Sequence, residues 1–374
     1  MNRNAWTIFG LGLAGALAST GCATTGGPAG LDQFSSDVPG AVAAPLQAAI
    51  GEVAETAAKP VDLGAPIRID WRNLRNPIYE FPGWSTKDAC LIERGGTFYL
   101  FFSAFFWNDG RIRSHVSAVK TTDLKTFSEP LFIWDGRDEG WTGMCSPNIT
   151  EVDGVYYLTY NSWGDDHPNG SPNQLFYAKS TDLENWEKHK PIARDITVNE
   201  QGEPRRAIDI AIARAGDFWV LSWKANQAPQ VATAPTLDGP WTLLGQPAER
   251  WFENAQFLKI DNRWRMLVTG LDEESGDLVP FLLTMASGDG TRPEDFGAFD
   301  GWQRLTVPVE SFNTSNSSNA AFLLDRRAID GYYYLLYAGT TQDRSHAGRG
   351  DNRLGLARSR DLVKWVAPGD TSNR

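Results

Sequence analysis

Histidine and cysteine are scarce in this chain, with four of the first and three of the second among 374 residues. The histidines, His115, His167, His189 and His346, are scattered, and no metal-type Cys/His spacing occurs. Positive charge is also in deficit. Lys and Arg number 35 against 46 Asp and Glu, for a net charge of −11 and an isoelectric point near 5.0. That balance excludes a nucleic-acid partner, because phosphate binding needs a basic face. The expected substrate is neutral or cationic. Long apolar runs are missing too, since the one candidate, Thr7 to Ala18, is too short to span a bilayer.

That run follows a positively charged start and ends at Ser19-Thr20-Gly21-Cys22, the shape of an export signal over residues 1–22. Its end is similar to a bacterial lipoprotein cleavage site, in which Cys22 becomes the lipidated N-terminus. Residues 23–64 are rich in Ala, Gly, Pro and Thr without strand alternation and read as a tether, with a weak helix over 46–58. Membrane association is thus expected through a lipid anchor alone, in the cell envelope. The remaining cysteines, Cys90 and Cys145, are open to two readings, a disulfide formed in an oxidising compartment or two buried small hydrophobes.

Aromatic residues are plentiful at 12%, with 15 Trp, and they fall in a repeated phrase: an acid or amide, an apolar run, a Gly/Asp turn, then aromatic strand residues. The phrase opens at Asp88, Asn148, Asp209, Glu253 and Asn319. Its spacing suits four-stranded blades with variable loops. Residues 65–374 are therefore expected to form one all-β domain, a five-bladed β-propeller of four-stranded antiparallel blades around a central channel. A second repeat, Thr122-Asp123-Leu124 with Phe127, Thr181-Asp182-Leu183 with Trp186 and Arg360-Asp361-Leu362 with Trp365, reads as turn and packing residues.

In such a propeller the innermost strands run the same way, so the residues that open them converge on one rim although they are far apart in sequence. Three of the five are carboxylic acids. The ends of the second strands should surround them and carry Trp107, Trp163 and Trp223. Indoles pack on the apolar faces of sugars, so carboxylates ringed by Trp and Asn describe a carbohydrate site, with Asn148 and Asn319 as further substrate contacts. Two acids across a glycosidic bond suffice for hydrolysis, and a third can raise the pKa of the proton donor. That chemistry requires no cofactor. The alternative for each acid taken alone is a strand-start cap.

Over residues 70–368 the pattern resembles the five-bladed propeller glycosidases of glycoside hydrolase families 43 and 62. The resemblance implies a general base at Asp88 in Lys87-Asp88-Ala89, a pKa-modulating acid at Asp209 in Ile208-Asp209-Ile210, and a general acid at Glu253 in Phe252-Glu253-Asn254-Ala255. It also implies an inverting enzyme, expected as a monomer, acting on a pentose-containing glycan such as arabinan or arabinoxylan. The chain departs from family 43 in three places. Ala89 and Ile210 replace the usual Pro, Asn148 replaces an Asp, and blade five lacks the His that supports a channel cation, which leaves a structural Ca²⁺ without support in this sequence. Two other readings are a retaining relative of the fructan-cleaving propellers and a non-catalytic carbohydrate-binding surface lipoprotein. The anchor is tested by Cys22→Ala. Metabolic palmitate labelling should be lost and the protein released from the membrane fraction; unchanged membrane association without lipid label would show that the anchor is wrong.

Overall fold

The computed structural model describes residues 64–108, 110–164, 172–225, 228–341 and 352–370. The export signal, Cys22 and the tether up to residue 63 lie outside the described residues. Among the described residues strands dominate, and helix is confined to one turn, α1 (Arg327–Asp330), and two short 3-10 turns.

The nineteen strands of the described residues form five consecutive meanders. The first holds β1 (Ser85–Arg94), β2 (Thr97–Asn108), β3 (Arg111–Thr121) and β4 (Phe132–Trp134); the second β5 (Gly143–Val152), β6 (Val155–Trp163), β7 (Leu175–Ser180) and β8 (Lys190–Pro191). The third holds β9 (Ala207–Ala215), β10 (Phe218–Ala225), β11 (Ala228–Ala234) and β12 (Thr242–Gly245); the fourth β13 (Phe252–Ile260), β14 (Arg263–Leu271), β15 (Leu278–Met285) and β16 (Phe299–Arg304). The last has β17 (Ser315–Asp325), β18 (Tyr333–Thr340) and β19 (Arg353–Ser359). Neighbours within each meander pair antiparallel. One parallel pair, Ser114 with Gly143, joins the first meander to the second. A Cβ at Gly143 would lie 2.4 Å from the Ser114 carbonyl, so only glycine permits that approach.

First strands touch in sequence: β1 meets β5, β5 meets β9, β9 meets β13, β13 meets β17, and β17 returns to β1. Each carries the same defect. Pairing with the second strand slips between Lys87 and Cys90, Cys145 and Asn148, Glu253 and Gln256, and Asn319 and Phe322, while on β9 the slip shows between its partners Ser222 and Lys224. The extra residue is left-handed in all five, with φ of 50° at Asp88, 56° at Ser146, 57° at Asp209, 49° at Asn254 and 48° at Ala320. None is glycine. A bulge of this kind bends the strand and re-aims its side chain, and a non-glycine residue held there is strained.

The strain is countered by the neighbouring sheet. Ser103 Oγ on β2 accepts the Ser146 N–H at 2.7 Å, Asn161 Oδ1 on β6 accepts the Asp209 N–H at 2.9 Å, and Thr269 Oγ1 on β14 accepts the Ala320 N–H at 3.0 Å. Farther out, Asp123, Asp182 and Asp361 each accept two backbone amides of a tight turn. Leu124 and Leu183 in those turns are buried, and Trp186 packs across onto Phe101 and Phe132 of the first sheet.

The last sheet departs from the expected four strands. It has three, because the two ends of the domain share its outer edge: Tyr79 bridges Leu354 and Val366 bridges Arg358. Asn76 extends that edge with its side chain, accepting the Leu356 N–H and donating to the Leu356 carbonyl. Cys90 and Cys145 are both free and buried, so the disulfide reading falls and the packing reading stands. Thr269→Val tests the stitching between sheets. The swap keeps the volume but orphans the buried Ala320 N–H, and should cost about 1–3 kcal/mol in denaturant unfolding; an unchanged midpoint would show that the bond contributes nothing.

Candidate active site

The repeated bulge decides which side chains meet. At the left-handed position stand Asp88, Ser146, Asp209, Asn254 and Ala320; immediately before it stand Lys87, Cys145, Ile208, Glu253 and Asn319. The five residues expected to open the strands therefore do not share one level. Asp88 and Asp209 occupy the bulge, whereas Glu253 and Asn319 come one residue earlier. Asn148 lies two residues past the second bulge, beside a narrow axial cavity of about 20 Å³, room for about one water. Small side chains, Ala89, Ala255 and Ala321 among them, line that cavity.

Asp88, Asp209 and Glu253, from three different sheets, come together with two lysines. Lys224, from the end of β10, contacts Asp209 at 3.1 Å and also forms an ion pair with Glu253. Lys87 lies 3.3 Å from Asp88. Ser146 Oγ donates to Asp209 Oδ1 at 2.8 Å. All five charged groups are largely withdrawn from water, and together they carry one net negative charge. Burial is the strongest influence on Asp88 and raises its pKa; Lys87 opposes that shift, while Asp209 and Glu253 add to it. For both lysines burial works against the charge, but the surrounding carboxylates outweigh it and hold the ammonium groups above the ordinary lysine value.

In fold the chain is similar to glycoside hydrolases. A putative glycoside hydrolase from Parabacteroides distasonis superposes with a TM-score of 0.54 at 18% identity, over 77% of this chain and 95% of that one. The α-L-arabinofuranosidase PaAbf62A from Podospora anserina gives 0.52 at 16% identity over 79% and 96%. The GH43 protein BlXynB from Bacillus licheniformis gives 0.54 at 15% over 79% and 56%. A curated relative, β-1,2-mannobiose phosphorylase from Thermoanaerobacter sp. (strain X514), is 24% identical over 138 residues, 33% of this chain. The chain matches 45% of that relative's length. No family model matches the chain.

The expected substrate contacts divide. Trp163, edge-on to Phe105 with centroids 5.4 Å apart, and Trp107, 51% exposed, stand on strand ends that extend beyond the acids. Trp107 lies four residues past Ser103, the partner of Lys87, roughly 13 Å up the strand. Trp223 is not a sugar contact. It is 3% exposed and packed among Leu175, Ile210 and Leu237, because strand alternation turns its neighbour Lys224 toward the acids and Trp223 away from them. Asn148 is also redirected: its amide donates to the Ala255 carbonyl at 3.2 Å, tying the second sheet to the fourth inside the channel rather than offering that donor to a sugar. Asn319 is buried, and its Oδ1 has no hydrogen-bond partner among the described residues.

Sequence reasoning missed Lys224, Lys87, Ser146 and Trp251. Lys224 lies 5.3 Å from the centre of the Trp251 ring, so this indole stands at the acids although it falls outside the second-strand pattern. Its Nε1 is buried without an acceptor among the described residues. Alternation within Trp223-Lys224 and within Trp251-Phe252-Glu253 was the available signal. Among the described residues no group of three or more His, Cys, Asp or Glu is placed to hold a metal, and Lys224 contacts two of the three acids.

Lys224→Met tests this cluster. It would leave two buried carboxylates without their shared cation, and should destabilise the domain by about 3–5 kcal/mol at neutral pH. Because the folded pKa of Lys224 is raised, its contribution is fully present below the ordinary value of 10.5 and fades as pH rises through the raised value. The variant should lack that alkaline decline in a pH series of unfolding; retention of both stability and decline would remove Lys224 from the cluster's electrostatics.

Proposed function

We propose that this chain is a five-bladed propeller that hydrolyses a glycosidic bond in a neutral polysaccharide, with Asp88, Asp209 and Glu253 as its acid–base apparatus. The observation that carries this reading is the convergence of three carboxylates from separate sheets on a buried site with a single net negative charge. Hydrolysis needs a proton donor to the leaving oxygen and a base to activate water.

Lys224 touches two of the three carboxylates and Lys87 the third, so every acid of the cluster has a cation beside it. The resemblance to families 43 and 62 implies Glu253 as the proton donor and Asp209 as the modulating acid, and Lys224, in contact with both, holds the two side by side. Asp88, raised by burial, accepts a proton from water more strongly than a solvated aspartate would, and Lys87 beside it supports the carboxylate. The base at Asp88 is likewise the role that the resemblance to families 43 and 62 implies. From the same resemblance we take inversion and a pentose-containing substrate. Of the expected contacts Trp107 and Trp163 are retained for the sugar, Trp251 joins them, and Asn319, buried with an unpartnered Oδ1 among the described residues, is a contact only for a group that reaches the axis. In the cell we place the domain on the envelope, tethered through Cys22.

Phosphorolysis is the second reading, favoured by the mannobiose phosphorylase relative. Against it, a phosphate dianion needs uncommitted cations, and both lysines that touch the acids are already paired with carboxylates.

Asp88→Asn and Glu253→Gln should each lower turnover by roughly 10²–10⁴-fold on an unactivated glycan. On an aryl glycoside whose leaving group needs no protonation, Glu253→Gln should recover and Asp88→Asn should not. Near-normal turnover in both variants would refute the assignment. Activity that requires inorganic phosphate and releases a sugar 1-phosphate would establish the second reading instead.

A further inference from the structure

A second cleft opens between the outer strands of the first two sheets, and it shares no lining residue with the axial cavity. Its volume is about 300 Å³, at the lower end of the range for small-ligand sites. Trp134 of β4 and Trp186 of the turn after β7 line it with Tyr160, His189, Asp138 and Glu187. We infer that this cleft is an auxiliary saccharide-binding site that holds a sugar unit of the same glycan. The inference rests on the carbohydrate reading of the site at the acids.

Three observations carry it. The first is an aromatic platform. Trp134 stacks on Phe132 at 4.0 Å and 18°, with Tyr160 at 5.5 Å and 41° and Trp186 at 6.0 Å and 89° around it, and both indoles are half-buried in the cleft lining. Indole surface left at the mouth of a cleft suits the flat apolar side of a sugar, whereas a cation is held best by several ring faces at once.

The second is a preformed wall. Tyr160 is buried and its hydroxyl is hydrogen-bonded to His189 Nδ1 at 2.5 Å. On the other side of the ring His189 Nε2 lies 2.9 Å from Glu139. Fixed on both sides, the imidazole needs no rearrangement when a ligand enters.

The third is the polar inventory. Asp135 is paired with Arg137 and Glu139 with His189, but Asp138 and Glu187 form no ion pair among the described residues and are exposed. Carboxylates in that state accept short hydrogen bonds from hydroxyl groups. Lys188 is the one Lys or Arg in the lining against Asp135, Asp138, Glu139 and Glu187, so the acid excess disfavours anions, and hydroxyl groups that donate to the carboxylates and accept from the ammonium suit the cleft.

Affinity electrophoresis through arabinan, arabinoxylan and β-mannan tests this, with Asp88→Asn as the parent so that the gel polysaccharide is not cleaved. The parent should be retarded by at least one of the three. Adding Asp138→Asn with Glu187→Gln should weaken that binding about tenfold, and Trp134→Ala should do the same in a separate chain. In the otherwise native protein the carboxylate pair of substitutions should leave aryl-glycoside turnover unchanged. Equal retardation of parent and variants, or retardation of the parent by none of the glycans, would overturn the proposal, and binding only of a quaternary ammonium probe would assign the cleft to cations. Retardation needs no turnover, so a protein that binds but never cleaves would count against the enzymatic reading alone.

Discussion

The left-handed bulge repeated in every first strand is the constraint on which the rest of this structure depends. A flat strand would send alternate side chains into the two neighbouring interfaces and leave the axis to backbone. One extra residue with φ near 50° changes that, because it turns a side chain out of the pleat and toward the axis. Each such residue costs about 1–3 kcal/mol in an L-amino acid. The cost is offset by side-chain oxygens of the preceding sheet, where Ser103, Asn161 and Thr269 accept the bulge N–H groups. The same bonds that relieve the strain lock one sheet to the next.

Two of the five bulges carry aspartates and Glu253 immediately precedes a third, so three acids meet in a largely buried space. Their mutual repulsion would be severe without counter-ions. Lys224 and Lys87 provide them, one shared between two acids and the other beside the third. Three carboxylates and two ammonium groups leave the cluster one formal negative charge. Trp251 closes one side of this cluster with its ring against Lys224.

Away from the axis, sheet-to-sheet packing rests on the outer turns. The turn aspartates satisfy their own backbone, which frees the following aromatic to cross to the adjacent sheet, as Trp186 does onto Phe101. The edge of the final sheet is completed by Tyr79 near the start of the domain and Val366 near its end, so the two ends of the described fold are held on one strand. The cleft at Trp134 and Trp186 is a by-product of the same outer geometry, where two sheets splay apart.

The sequence by itself determined the all-β class, the repeat that spaces the first strands, the turn motif, and the candidacy of Asp88, Asp209 and Glu253. Those features are local: period-two alternation, turn chemistry and residue type are written within a dozen residues. Tertiary structure decided the level at which each side chain stands. A bulge adds one residue without altering composition, so Asn148 passes beyond its expected place and Ser146 takes it. Alternation likewise buries Trp223 and presents Lys224. The pairing of Lys224 with two acids from different sheets, and the closing of β19 by both chain ends, join residues far apart in the chain. No local pattern encodes such contacts, because they exist only once the sheets have packed.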